Sequence, residues 1–162
     1  NTALAQIGIE GPGWLQDRVW AKPALIIMSL WGVGGGMIIY LAGLQGISRD
    51  LYEASKVDGA GRVRQFFRIT IPMLTPTIFF NLIMGVLGAM QVFVQAYIMT
   101  GGGPVNSTMF YALYLYNKAF RDLQMGYASA MAWVLLVISL IFTLIIMRSS
   151  RSWVYYEGAE PR

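Results

Sequence analysis

The chain has 162 residues, 56% of them hydrophobic and only 12% charged, with a formal net charge of +4. A soluble domain of this length would show amphipathic rather than continuous apolar runs. The absence of Cys and His excludes a disulfide framework and a thiolate metal site and removes the commonest general base.

In chain order, Trp14 and Trp20 precede a charge-free apolar segment at about 23–44. A membrane-crossing helix needs about 20 mostly apolar residues, and this segment has them. Pro23 fits the first helical turn, where its missing N–H is not needed. Gly32, Gly34, Gly35 and Gly36 crowd the middle of this span. Each interior glycine costs about 1 kcal/mol against alanine, so the cluster implies a compensating use. Two uses are open: close helix packing through Gly32-x-x-x-Gly36, or a thin helix wall beside a solute path, which would give Gly32 and Gly35 a lining role.

The segment 48–72 is charged and helix-forming. Ser48 suits an N-cap, and a short helix is expected from Arg49 to Asp58. Gly59 and Gly61 break it, and glycine there permits a sharp change of direction. A second short helix is expected over 62–70, with Val63, Phe66, Phe67 and Thr70 on its apolar face. Arg62, Arg64, Gln65 and Arg68 take the polar positions. From amphipathicity alone, this pair could be an interfacial device that snorkels its basic residues toward headgroups.

Pro72 and Pro76 mark the start of a second charge-free span at about 77–99, ended by Gly101-Gly102-Gly103-Pro104. It carries Asn81, Gly85, Gly88 and Gln95 at helical spacing, with Gln91 one position off the stripe. Such a stripe cannot comfortably face lipid. It either glues helices together or offers amide and backbone groups to a polyhydroxylated ligand. A short, half-apolar helix is expected over 107–120. A third uncharged span follows at about 125–147, with a small-residue seam of Gly126, Ser129, Ala130 and Ala132 near its start.

Orientation follows from the basic residues. Arg49, Lys56, Arg62, Arg64 and Arg68 crowd the first loop, and Arg148, Arg151 and Arg162 follow the third span. Arg18, Lys22, Lys118 and Arg121 lie on the other side, so the first loop and the C-terminal tail are expected in the cytoplasm. Trp14, Trp20, Trp153, Tyr155 and Tyr156 fit interfacial anchoring. The expected fold is an all-α membrane protein: three transmembrane helices, a cytoplasmic helix-turn-helix loop and a short external helix.

Glu53, Ala54, Asp58, Gly59 and Ala60, followed by Ile69-x-Ile71-Pro72, match a known signature in type and spacing. The loop resembles the "EAA" loop of the permease subunits of bacterial binding-protein-dependent ABC importers. Ser55 stands where a second alanine is usual, and Ile71 where leucine is common. Similar resemblance is carried by Leu41-Ala42-Gly43-Leu44-Gln45-Gly46-Ile47, Phe93, Thr100-Gly101-Gly102-Gly103-Pro104 and Met125-Gly126-Tyr127-Ala128-Ser129-Ala130. It covers about 14–148 and is strongest to the maltose and glycerol-3-phosphate group.

The resemblance implies the C-terminal half of a permease with six or more spans, in a bacterial cytoplasmic membrane. It implies an ATPase-coupling loop built from Glu53, Ala54, Ser55, Asp58, Gly59 and Ala60. It also implies substrate contacts from the second span and the span before the loop, so Gly32, Gly35, Asn81, Gly85, Gly88, Gln91 and Gln95 form the expected path. Expected partners are an ATP-binding cassette ATPase dimer, a second permease subunit, an extracytoplasmic solute-binding protein and membrane lipid, with no nucleic acid. No cofactor or metal is expected, and no enzymatic activity. The implied solute is a sugar or related polar molecule, with glycerol-3-phosphate or another non-sugar solute as the alternative.

Other classes fare worse. An enzyme lacks its catalytic groups, since no paired carboxylates lie within a span. Gly101-Gly102-Gly103 is not followed by Lys-Ser or Lys-Thr, so it is no phosphate-binding loop. An ion-coupled transporter needs intramembrane ionisable residues, which these spans do not carry. A non-transporting scaffold has no reason to carry the signature loop.

Overall fold

The computed structural model describes residues 1–155 apart from 7, 9 and 10. Tyr156 and Arg162, expected at the interface and in the basic tail, lie outside the described residues. All the regular structure described is helical: α1 Thr2–Gln6, α2 Ala21–Ser29, α3 Val33–Gln45, α4 Arg49–Val57, α5 Arg62–Gln65, α6 Ile71–Met90, α7 Val94–Met99, α8 Tyr111–Tyr116 and α9 Met125–Ser150. A 3-10 turn, Leu30–Gly32, joins α2 to α3, and π-helical stretches follow α5 (Phe66–Thr70) and α8 (Asn117–Arg121).

Three stretches are long and apolar enough to cross a membrane: Ala21–Gln45, Arg62–Met99 and Met125–Ser150. At most 6% of the most apolar window of each is buried within the chain. The hydrophobic surface of these helices is therefore not consumed by a core of their own, and lipid or other protein must cover it.

The second span differs from its sequence reading at both ends. Its helix does not begin at 77 but at Ile71, and it continues from α5 through the π-helical stretch. Proline removes an amide donor and crowds the carbonyl four residues back. At Pro72 this is absorbed just upstream, where the Ile71 N–H bonds to the Phe66 carbonyl five residues back. Near its other end the helix stops at Met90 and resumes at Val94. Gln91 N–H bonds to the Gly88 carbonyl at 3.2 Å, and Phe93 turns out of helical geometry at φ −130°, ψ −62°. The helical spacing that would place Gln95 on the stripe of Asn81, Gly85 and Gly88 is therefore interrupted.

The chain forms two compact units. The first comprises Asn1–Gly32 and Leu87–Ser139. Among its described residues, the buried side chains are those of Ala21, Leu25, Ala96, Thr108, Leu113, Ala119, Ala128 and Met131. The Tyr111 hydroxyl donates to the Met131 carbonyl at 2.8 Å, which ties α8 to α9. The expected helix over 107–120 begins only at Tyr111. Val105 and Asn106 take positive φ, and Thr108 Oγ1 lies 2.6 Å from Thr100 Oγ1 and 2.8 Å from the Gly103 carbonyl. These side-chain bonds compete with helix formation. On α9 the buried positions are Ala128 and Met131, whereas Gly126, Ser129, Ala130 and Ala132 are exposed, so the expected seam lies on the open face.

The second unit comprises Val33–Val86 and the chain from Leu140. It buries Ile47, Gln65, Thr70 and Thr75. Here α3 meets α6 closely at Gly43, where an added Cβ would lie 2.7 Å from Thr77 Oγ1 and 3.0 Å from Leu74 Cδ2. The edge of Trp153 packs against Phe79 with ring centroids 6.2 Å apart.

Candidate functional site

The loop between α3 and α6 is a helix pair with a defined turn. Ser48 caps α4 by accepting from the Asp50 N–H at 3.2 Å. Asp50 in the first turn and Lys56 in the last complement the helix dipole. At the other end, the Gly59 N–H bonds to the Lys56 carbonyl at 3.0 Å and the Ala60 N–H to the Ser55 carbonyl at 2.9 Å. Those two bonds, with Gly59 at φ +74°, form a Schellman cap. A Cβ at Gly59 would meet nothing within 4 Å, so the requirement there is conformational rather than spatial.

Tyr52 and Ser55 point toward the second helix of the pair. Ser55 Oγ donates to the Tyr52 carbonyl at 2.8 Å and accepts from Gln65 Nε2 at 2.8 Å. Gln65 Nε2 also reaches the Tyr52 carbonyl at 3.3 Å, and the Tyr52 and Thr70 hydroxyls share a 2.9 Å hydrogen bond. The side chain of Ser55 is thus engaged inside the loop. Glu53, Ala54, Asp58 and Gly59 are exposed and Ala60 is half-buried.

Sequence reasoning assigned no role to Tyr52 and gave Gln65 and Thr70 only a place in the helix pattern, with Gln65 among the polar positions beside the arginines. The structure reverses this: Gln65 is buried, while Val63, Phe66 and Phe67 are 73%, 50% and 62% exposed. Gln65 is drawn inward by its hydrogen bonds to Ser55 and the Tyr52 carbonyl, and the π-helical stretch that follows shifts the helical period of the residues after it. An apolar face turned outward is also the natural arrangement beside lipid or another apolar surface.

The expected path residues fall in both units. In the second unit, Asn81 is half-buried and its Nδ2 donates to the Thr77 carbonyl at 2.9 Å. Its Oδ1 lies 3.8 Å from where a Cβ on Gly36 would stand. Gly35 and Gly85 face open space. In the first unit, Gly32 and Gly88 likewise meet nothing within 4 Å, and Gln91 and Gln95 are exposed. Close approach of helices occurs at Gly43 rather than within the Gly32–Gly36 cluster.

Few charges pair. Lys118 Nζ donates to Asp122 Oδ2 at 2.8 Å, and this hydrogen bond raises the Lys118 pKa above its ordinary value. Among the described residues, no group of three His, Cys, Asp or Glu side chains converges as a metal site would require.

A helix-capped loop joined to membrane-length helices defines a class of membrane component, and comparison gives its family. Residues 4–153 match the model of the binding-protein-dependent transport system inner membrane component. The chain belongs to this family, whose members are multi-pass inner-membrane proteins. It is 50% identical over 163 residues to the probable ABC transporter permease protein YesP of Bacillus subtilis (strain 168), spanning 99% of this chain and 53% of that relative. It is 41% identical to the sulfoquinovosyl glycerol transport system permease protein SmoG of Agrobacterium fabrum, spanning 94% of this chain and 50% of that protein. It is 40% identical to the lactose transport system permease protein LacF of Rhizobium radiobacter, spanning 93% and 53%. The chain therefore spans about half the length of these relatives. A crystal structure of a bacterial ABC transporter importing the acidic polysaccharide alginate superposes with a TM-score of 0.83 at 28% identity, covering 94% of this chain and 54% of that one.

Proposed function

We propose that this chain is the coupling and translocation part of a permease subunit in an ABC importer for sugars or oligosaccharides. The observation that carries this reading is the pinned helix pair α4–α5, continuous through its second member with the membrane-length helix α6. A push on the exposed face of Glu53, Ala54, Asp58, Gly59 and Ala60 passes into α6 without crossing a flexible joint. Coupling needs such an element, with two positions whose energies a partner can bias.

The partner on the cytoplasmic side is an ATP-binding cassette ATPase dimer, which supplies the energy. A second permease subunit covers apolar helix faces that this chain leaves open, and lipid covers the rest. An extracytoplasmic binding protein delivers the solute. The solved alginate ABC transporter in complex with an alginate pentasaccharide-bound periplasmic protein supports that arrangement. Gly32, Gly35, Asn81, Gly85, Gly88, Gln91 and Gln95 line the path, where uncharged amides both donate and accept hydrogen bonds to hydroxyl groups.

Relatives named for lactose and sulfoquinovosyl glycerol transport favour a carbohydrate over glycerol-3-phosphate as the solute. The test is reconstitution of the full-length permease with its ATPase, second permease and binding protein, followed by uptake of labelled lactose, maltotriose and glycerol-3-phosphate. ATP-dependent sugar accumulation is the expected result. Uptake of glycerol-3-phosphate alone would replace the sugar reading, and no ATPase retention would remove the coupling role.

A further inference from the structure

The break at Gln91–Phe93 begins a run of aromatic rings that the solute path above does not use. Phe93 stacks on Tyr97 with centroids 5.4 Å apart and planes 15° from parallel. Tyr116 sits 5.0 Å from Phe93 and 5.5 Å from Tyr97, and Phe120 continues the series 5.1 Å beyond Tyr116. All four belong to the first compact unit, two from the second span and two from the α8 segment. The cluster is not a closed core: Tyr97 is 46% exposed and Phe120 is 60% exposed. Among the described residues, no hydrogen bond reaches the Tyr97 or Tyr116 hydroxyl.

This combination has a chemical match. A pyranose ring presents a flat apolar patch of C–H bonds on one face and hydroxyl groups around its rim. Aromatic faces attract the first, whose C–H hydrogens carry partial positive charge toward the negative π-face. Tyrosine hydroxyls bond to the second. The exposed parts of Tyr97 and Phe120 leave ring surface free for such a contact. The break in the second span matters here because it turns Phe93 out of helical geometry, against Tyr116 of the neighbouring segment.

We propose that Phe93, Tyr97, Tyr116 and Phe120 form a stacking platform for an oligosaccharide within the first compact unit. The proposal rests on the sugar-importer reading and adds to it a binding site distinct from the amide and glycine stripe.

The experiment uses the complete importer in vesicles, with labelled lactose and maltotriose at saturating binding protein. Wild-type uptake of neither sugar would count against the importer's sugar specificity and would overturn the platform with it. With wild-type uptake established, the Tyr97→Leu, Phe120→Leu pair is expected to lower maltotriose uptake about tenfold. Lactose should fall less, because fewer sugar units reach the rings, while assembly and basal ATP hydrolysis stay unchanged. The Tyr97→Trp, Phe120→Trp pair should retain uptake, because it keeps the π-faces. Unchanged maltotriose uptake in the leucine pair overturns the platform, and so does equal loss in the leucine and tryptophan pairs. If the leucine pair fails to assemble, Phe120→Leu alone, at the most exposed ring, carries the same test.

Discussion

The Thr75 hydroxyl donates to the Pro72 carbonyl at 2.6 Å, taking the place of the amide N–H that Pro76 does not have. In an unbroken helix that carbonyl would accept from residue 76. The same oxygen accepts from the Tyr155 N–H at 2.8 Å, so one buried hydroxyl repairs α6 and anchors the C-terminal segment to it. This local repair explains how α6 runs past a proline that sequence reasoning took as a boundary.

Thr75→Val keeps the shape but removes both bonds. Leaving buried polar groups unsatisfied costs about 1–3 kcal/mol each. We expect a lower melting temperature of the purified importer, with Thr75→Ser close to wild type. Equal stability of the valine and wild-type proteins would show that the repair is dispensable.

At Gly59 the backbone sits at φ +74° with free space around it. A β-branched side chain is strained there by about 1–3 kcal/mol, whereas asparagine tolerates the conformation. Gly59→Val should weaken ATPase retention or uncouple hydrolysis from uptake, with membrane insertion unchanged, and Gly59→Asn should largely preserve coupling. Retention and solute-stimulated hydrolysis are the measurements. Indistinguishable Val and Asn variants would point away from the Schellman turn.

Gln65 and Ser55 act as one unit, through their 2.8 Å hydrogen bond. Gln65→Leu and Ser55→Ala should each reduce coupling between ATP hydrolysis and transport. Their double variant should lose less than the sum of the two, since the second change removes a bond already broken. A double-mutant cycle on uptake per ATP reads this out, and strict additivity would separate the two residues.

Gly43 is held by close approach. Even Gly43→Ala places an atom against Thr77 Oγ1 and Leu74 Cδ2, and overpacking of this kind costs about 1–3 kcal/mol. We expect reduced thermal stability, partly restored by Thr77→Ala, which removes the obstructing oxygen. Gly32→Ala, where a Cβ meets nothing within this chain, should differ from it in stability measurements made on the isolated permease.

Asn81 bonds to its own helix and lies next to Gly36. As a path residue, Asn81→Leu should change the ratio of lactose to maltotriose uptake while the complex assembles in normal yield. If yield falls and the ratio holds, Asn81 serves helix packing instead.

Sequence alone determined the broad design. Uninterrupted apolar length imposes helices on the three membrane segments, because backbone groups in lipid must be satisfied within the segment. Ser48 and Gly59 set the ends of α4 by local chemistry, and the signature residues around Glu53 identified the loop. Tertiary structure decided what periodicity cannot encode. Gln65 turned inward because Ser55 and Tyr52, ten or more positions away, offered it hydrogen bonds. The helix ran through Pro72 and Pro76 because a π-helical stretch and the Thr75 hydroxyl compensated for the missing amides. The second span broke at Gln91–Phe93, and there Phe93 meets Tyr116, a residue that no local pattern links to it. Local signals fix where a helix can form, but which partner a side chain meets is a property of the assembled fold.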